Sequence, residues 1–98
     1  MEFNFKNNKS GNGGYFTVHN QDEELGRLTY TIMPELNKFI ISYVNIYPKY
    51  EGNGYGKKII SEAIDYARQN HLKVYPHCSY ANTVMHRMND VDDILLKE

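Results

Sequence analysis

Cysteine occurs once in this 98-residue chain, at Cys78, and tryptophan does not occur at all. A lone cysteine excludes an internal disulfide framework and suits a reducing compartment. It also leaves no zinc-type spacing, because His77, Cys78 and His86 have no fourth ligand to join them. Long apolar runs are missing too. Nothing approaches the roughly 20 residues of a membrane span, and no signal-peptide pattern opens the chain. The expectation is a soluble, cytoplasmic monomer with no membrane partner and no metal. Neither sign of charge dominates. Eleven Lys and Arg against twelve Asp and Glu leave a net charge of −1, which removes the basic footprint of a nucleic-acid binder. What remains is 41% apolar and 23% charged, an ordinary globular composition with room for one domain, residues 1–98, and one modest core.

The chain changes period near its middle. Glu2 to Lys6 alternates as a short first strand, and Asn7 to Gly14 reads as turn chemistry, dense in Asn and Gly. Tyr15 to His19 is β-rich, Asn20 to Glu23 is a polar turn, and Leu25 to Met33 carries apolar residues with a period of two. After a turn at Pro34 to Asn37, Lys38 to Tyr47 is nearly continuous in Phe, Ile, Tyr and Val, which suits a central strand buried on both faces. Short turns imply an antiparallel meander. Ile59, Ile60, Ala63, Ile64 and Ala67 then recur at helical spacing from about Gly54 to Gln69, with Asn70-His71 as a C-cap. Leu72 to Tyr75 is a strand that Pro76 ends. Ser79 would cap a last helix with Ala81, Val84, Met85 and Met88 on one face, ended by Asp90 to Asp93, and Ile94 to Leu96 forms an apolar tail. The fold class is therefore α+β, an antiparallel β-meander continued by one βαβ unit whose two strands run parallel.

The junction between that central strand and the long helix holds three alternating glycines, Gly52, Gly54 and Gly56, within Tyr47-Pro48-Lys49-Tyr50-Glu51-Gly52-Asn53-Gly54-Tyr55-Gly56-Lys57-Lys58. Such a backbone approaches a ligand closely, and its N–H groups converge on an anion at the positive helix end. A Walker A loop fails, because Glu51 stands at the first glycine position and Lys58 where Ser or Thr is needed. A dinucleotide fingerprint fails as well, with Lys57 at the third glycine position and no tandem βαβ array. One glycine suffices for a tight turn, so a turn alone does not account for three.

Two motifs together resemble the Gcn5-related N-acetyltransferases. Ile46-Tyr47-Pro48 before Glu51-Gly52-Asn53-Gly54-Tyr55-Gly56 is similar to that family's pyrophosphate loop. The run Ala63 to Cys78, with Ala-Ile-Asp-Tyr-Ala-Arg and then Leu-Lys-Val-Tyr-Pro-His-Cys, looks like its small single-domain branch, the mini acetyltransferases of the bacterial YjdJ type. The match covers roughly residues 41–80. The resemblance implies a mixed, twisted sheet splayed between the strand ending near Tyr47 and the strand ending near Pro76, with acetyl-coenzyme A in the gap. Its pantetheine would pair with the backbone of Val44, Asn45 and Ile46. Its pyrophosphate would meet Glu51, Gly52, Asn53, Gly54, Tyr55, Gly56 and Lys57. Lys49, Lys57 and Lys58 would add positive potential. Glu51 departs from the Gln or Arg usual at that place.

The same resemblance makes Cys78 the catalytic candidate, either as the acetyl acceptor of a covalent intermediate or as a base or polar contact during direct attack. A following helix would favour its thiolate. The branch often pairs this cysteine with a histidine on the preceding strand, where this chain has Tyr43. Tyr43 or Tyr80 would then supply a hydroxyl for proton transfer, since His77 faces the other way and His86 lies two helical turns on. The function implied is transfer of an acetyl group from acetyl-CoA to an unidentified amine: an exposed lysine, a polyamine or a small amine. The alternative is a non-catalytic CoA or acyl-CoA binding module, toward which Glu51 and Tyr43 both lean. No long insertion walls the acceptor side, where only Asn20 to Glu24 joins the strands.

Overall fold

A computed structural model describes residues 3–96. Its five strands form one sheet in sequence order: β1 (Phe3–Ser10), β2 (Gly13–Asn20), β3 (Glu23–Met33), β4 (Lys38–Ile46) and β5 (Lys73–Pro76). The first four are antiparallel, and β5 joins β4 in parallel after the helix α1 (Tyr55–Gln69). A second helix, α2 (Ser79–His86), follows β5. The α+β class, the meander and the parallel βαβ unit expected from the sequence are all present. Among the described residues no helix is long and apolar enough to cross a membrane.

Three local expectations change. The Asn7–Gly14 turn is instead a hairpin: β1 runs on to Ser10, and only Gly11 and Asn12 turn the chain, with Gly11 at φ +59°. Polar residues persist in this edge strand because the backbone ladder holds it, and because Asn7 accepts a hydrogen bond from the Tyr30 hydroxyl at 2.6 Å. The Glu2 end of that strand lies outside the described residues. Second, β4 is not buried on both faces. Phe39 and Ile41 are buried, then the register with β3 slips by one at Ser42, and burial resumes at Val44. The bulge changes which residues of β4 face the core. Third, Cys78 rather than Ser79 caps α2, and the helix ends at His86, ahead of the acidic stretch.

The core lies on one side of the sheet. Phe16, Val18, Leu28, Tyr30, Phe39, Ile41 and Val74 meet Ile59, Ile60, Ala63, Ile64 and Ala67 of α1 and Ala81 and Met85 of α2 in one cluster. Phe39 stacks on Tyr30 at 4.7 Å between ring centroids. Just beyond the end of α1, His71 takes φ +58°. There the Leu72 N–H reaches the Ala67 carbonyl (2.8 Å) and the His71 N–H the Arg68 carbonyl (3.2 Å). This paired cap turns the chain straight into β5. The C-terminal segment continues alongside, with Leu95 bridged to Val74 and Arg68 paired with Asp93 at 3.0 Å. The apolar tail is therefore an extra rung beside β5.

On α1, burial raises the Glu62 carboxyl above its ordinary range, and the neighbouring Asp65 adds to the rise. The folded chain therefore disfavours the charged carboxylate. This penalty is absent at low pH and grows as pH rises from the ordinary glutamate value through the folded one. Glu62→Gln should accordingly raise Tm at pH 7 and leave it unchanged below about pH 4, measured by thermal melts across that range.

Candidate active site

The site begins where two parallel strands part. β5 pairs with β4 only from Lys38↔Lys73 to Ile41↔Pro76. At the end of that ladder the Ile41 carbonyl accepts from both the His77 N–H (3.0 Å) and the Cys78 N–H (3.1 Å). The chain then turns into α2, while β4 continues through Val44, Asn45 and Ile46 with β3 on its other edge. A strand edge left this way offers N–H and C=O groups to a ligand that carries amides.

The loop beyond β4 closes the gap. A short 3-10 turn, Pro48–Tyr50, leads to Gly52 (φ +85°) and Gly54 (φ +79°), and Gly54 caps α1 with no side-chain cap bond. Both φ values lie in the left-handed region that glycine adopts without strain. The Asn53 side chain turns back and donates to the Tyr50 and Glu51 carbonyls at 3.1 and 3.3 Å. Gly56 sits in the first turn of α1 because the Tyr80 ring of α2 lies over it. A Cβ there would come within 2.8 Å of the ring carbons Cε2 and Cζ.

These elements enclose a cavity of about 330 Å³ lined by Val44, Asn45 and Ile46 of β4, Tyr50, Glu51, Gly52 and Gly54 of the loop, Tyr55 and Gly56 of α1, and Tyr80 of α2. Of the cofactor-binding candidates, Asn53 and Lys57 are off this wall. Both line the neighbouring hollow with Gly54, Lys58, Phe3 and Phe5. Lys58 lies over the Phe3 ring at 5.1 Å, and Lys49 is drawn to Glu23 at 3.7 Å. None of the three lysines lines the cavity, whereas Glu51 does. The start of α1 and the loop N–H groups would add positive potential there.

The three catalytic candidates separate. Tyr80 lines the cavity and is 46% exposed. Tyr43 pairs with Thr29 on the sheet face away from the core and is 58% exposed. Cys78 is half-buried at the α2 cap, packed against the core cluster and off the cavity wall. His86 donates from Nδ1 to the Asn82 carbonyl at 2.8 Å. Tyr50 lines the cavity and escaped the sequence reading, although it belongs to the same motif.

A split parallel pair, a glycine-rich helix start and a cavity joining them define an acyltransferase class of domain. The sequence profile of the GCN5-related N-acetyl-transferase family matches residues 15–94. The chain belongs to that family. Among solved structures it is similar to a GCN5-like protein from Staphylococcus aureus solved in solution by NMR, with a TM-score of 0.70, 23% identity, and 95% of this chain and 89% of that one covered. It is also similar to the ribosomal-protein-S18-alanine N-acetyltransferase from Escherichia coli (TM-score 0.67, 11% identity), covering 80% of this chain and 52% of that enzyme. A third likeness is to the N-acetylglutamate synthase from Neisseria gonorrhoeae complexed with coenzyme A and N-acetyl-glutamate (TM-score 0.63, 16% identity, 74% of this chain and 18% of that one). The chain spans about half or less of these last two proteins. No curated protein matches the chain in sequence.

Proposed function

We propose that this protein transfers the acetyl group of acetyl-CoA to a primary amine, with the pantetheine arm along Val44–Ile46 and the pyrophosphate at Gly52–Gly56. The observation that carries the proposal is the unpaired reach of β4 beside the glycine-rich start of α1, joined by one cavity. Solved relatives hold coenzyme A or acetyl-coenzyme A. The neutral amine attacks the thioester carbonyl carbon, the C–S bond breaks, and the coenzyme leaves as a thiolate. Tyr80, the one catalytic candidate on the cavity wall, protonates that thiolate; the proton released as the amide forms passes to water, which returns one to the Tyr80 oxygen. Holding amine and thioester together supplies much of the rate, and loop or strand N–H groups stabilise the oxyanion. Because only the Gln21-Asp22 turn joins β2 and β3, no inserted helix walls the acceptor side there. This suits an amine displayed on a protein surface.

Cys78 lies off the cavity wall, which supports direct attack rather than an acetyl-cysteine intermediate. Intact-mass analysis after acetyl-CoA exposure should therefore show no acetyl adduct, and Cys78→Ala should keep turnover within a few-fold. An adduct on the wild type that the variant loses would establish the covalent route instead. Titration with acetyl-CoA should shift the amides of residues 44–56. An unmoved loop would sink the coenzyme assignment. The second reading is a binding module without turnover, and one observation favours it: the Glu51 residue on the wall of an anion site. It requires binding with no acetylation across an amine panel, and there Glu51→Gln should tighten CoA binding.

A further inference from the structure

The coenzyme loop has a second anchor that lies far from it in sequence. β2 and β3 are joined by the two-residue turn Gln21-Asp22, with Gln21 at φ +58°. The first two residues after it, Glu23 and Glu24, point toward the segment that carries the cavity wall. The Tyr47 hydroxyl donates to Glu24 Oε2. Lys49 Nζ stands 3.7 Å from Glu23 Oε2 and 5.6 Å from the centre of the Tyr50 ring. Tyr50 shares the Glu23 carboxylate through its hydroxyl. The backbone is fastened at the same place, with the Tyr47 N–H on the Leu25 carbonyl at 3.0 Å. On the inner side, Asn53 ties the Tyr50 and Glu51 carbonyls together.

We propose that Glu23 and Glu24 act as a clasp that positions the coenzyme loop, holding Tyr47, Lys49 and Tyr50 so that Tyr50 forms a fixed cavity wall and the loop meets acetyl-CoA already shaped. Neither carboxylate lines the cavity, so both are positioning residues rather than catalytic ones. The physical reason is ordering cost. A glycine-rich loop has many accessible conformations, and fixing it only when ligand binds lowers affinity. Two hydroxyl–carboxylate bonds and an ion pair across the hairpin do that ordering in advance. Fixing the loop acts on binding and not on the bonds made and broken, so its loss belongs in KM and not in kcat. This rests on the coenzyme reading above.

The test compares Glu23→Ala/Glu24→Ala with Glu23→Gln/Glu24→Gln in steady-state acetyl transfer and acetyl-CoA titration. The alanine pair should raise KM and Kd for acetyl-CoA about tenfold with kcat unchanged. The glutamine pair keeps a side-chain carbonyl to accept from each tyrosine and should recover most of that loss. A spectroscopic signature accompanies it. The Tyr50 hydroxyl is pushed up to about 12, first by its hydrogen bond to Glu23 and then by burial. By ¹³Cζ titration it should fall toward the ordinary value of about 10 in Glu23→Ala. If the alanine pair fails to fold, Tyr47→Phe/Tyr50→Phe removes the same bonds from the other side and should raise KM alike. Wild-type protein that ignores acetyl-CoA defeats the site assignment itself. Wild-type binding with an unchanged KM in the alanine pair, or in Tyr47→Phe/Tyr50→Phe, overturns the clasp alone.

Discussion

Gly26→Ala should both destabilise the protein and loosen its grip on acetyl-CoA. Gly26 lies on β3 opposite Ile46 of β4. A Cβ there would stand 2.7 Å from the Asn45 carbonyl oxygen and 3.0 Å from the Ile46 Cα. Both are backbone atoms, so no rotamer change relieves the contact, and β4 must shift bodily. Overpacking of this kind costs about 1–3 kcal/mol. The shift falls on Asn45 and Ile46, two of the three β4 residues that line the cavity. An acetyl-CoA KM raised by about tenfold or more is the expected result, since 1.4 kcal/mol of binding is a factor of ten. Thermal melts and steady-state kinetics check the two halves separately. A variant with a lowered Tm and an unchanged KM would show that this stretch of β4 does not touch the coenzyme.

The parts of this fold that were legible in the sequence are those governed by short-range pattern. The apolar stripe of α1, the α+β order and the parallel βαβ unit follow from periodicity and turn length. The glycines announce a loop whose backbone must be free to turn. Elsewhere the sequence misled for identifiable reasons. Asn7 to Ser10 looks like a turn because its side chains are polar, yet an edge strand needs only its backbone ladder, and Asn7 has a buried tyrosine hydroxyl to satisfy. Lys38 to Tyr47 looks buried on both faces, but Ile40 and Tyr43 are hydrophobic on an uncovered one. The bulge at Ser42 that changes the facing is invisible in composition.

The site shows the same division. Val44 to Ile46 and the glycines could be placed from motif order, whereas which neighbours line the cavity depends on backbone direction. Left-handed Gly52 and Gly54 turn Asn53 back onto the loop carbonyls. Lys57 follows Gly56 by a single helical step and so faces the adjoining hollow. Glu23 and Glu24 were invisible because they meet Tyr47 and Tyr50 only through the β3–β4 register. Nothing local marks two carboxylates after a hairpin turn as partners of residues more than twenty positions on.

The last prediction concerns Tyr80 and the glycine beneath it. Tyr80→Phe keeps the ring over Gly56 and removes the one hydroxyl among the three catalytic candidates that lines the cavity. If that hydroxyl protonates the departing thiolate, kcat should fall on the order of 10²-fold or more while KM for acetyl-CoA stays close to wild type. Gly56→Ala attacks the same group from below. The Cβ would overlap the Tyr80 hydroxyl and crowd Cε2 and Cζ at 2.8 Å, and the partly exposed ring can yield by swinging outward. Helical φ and ψ at Gly56 suit alanine, which gains roughly 1 kcal/mol over glycine in a helix. Stability should therefore hold or rise while kcat drops, a separation that no core substitution would give. The two changes should also fail to add. Once the hydroxyl is gone, displacing the ring has little further catalytic effect, so Gly56→Ala in the Tyr80→Phe background should cost far less than it does in the wild type. Full additivity would mean that Gly56 serves the coenzyme through its own backbone and not through Tyr80, and an unchanged kcat in Tyr80→Phe would mean that Tyr80 is not the proton donor.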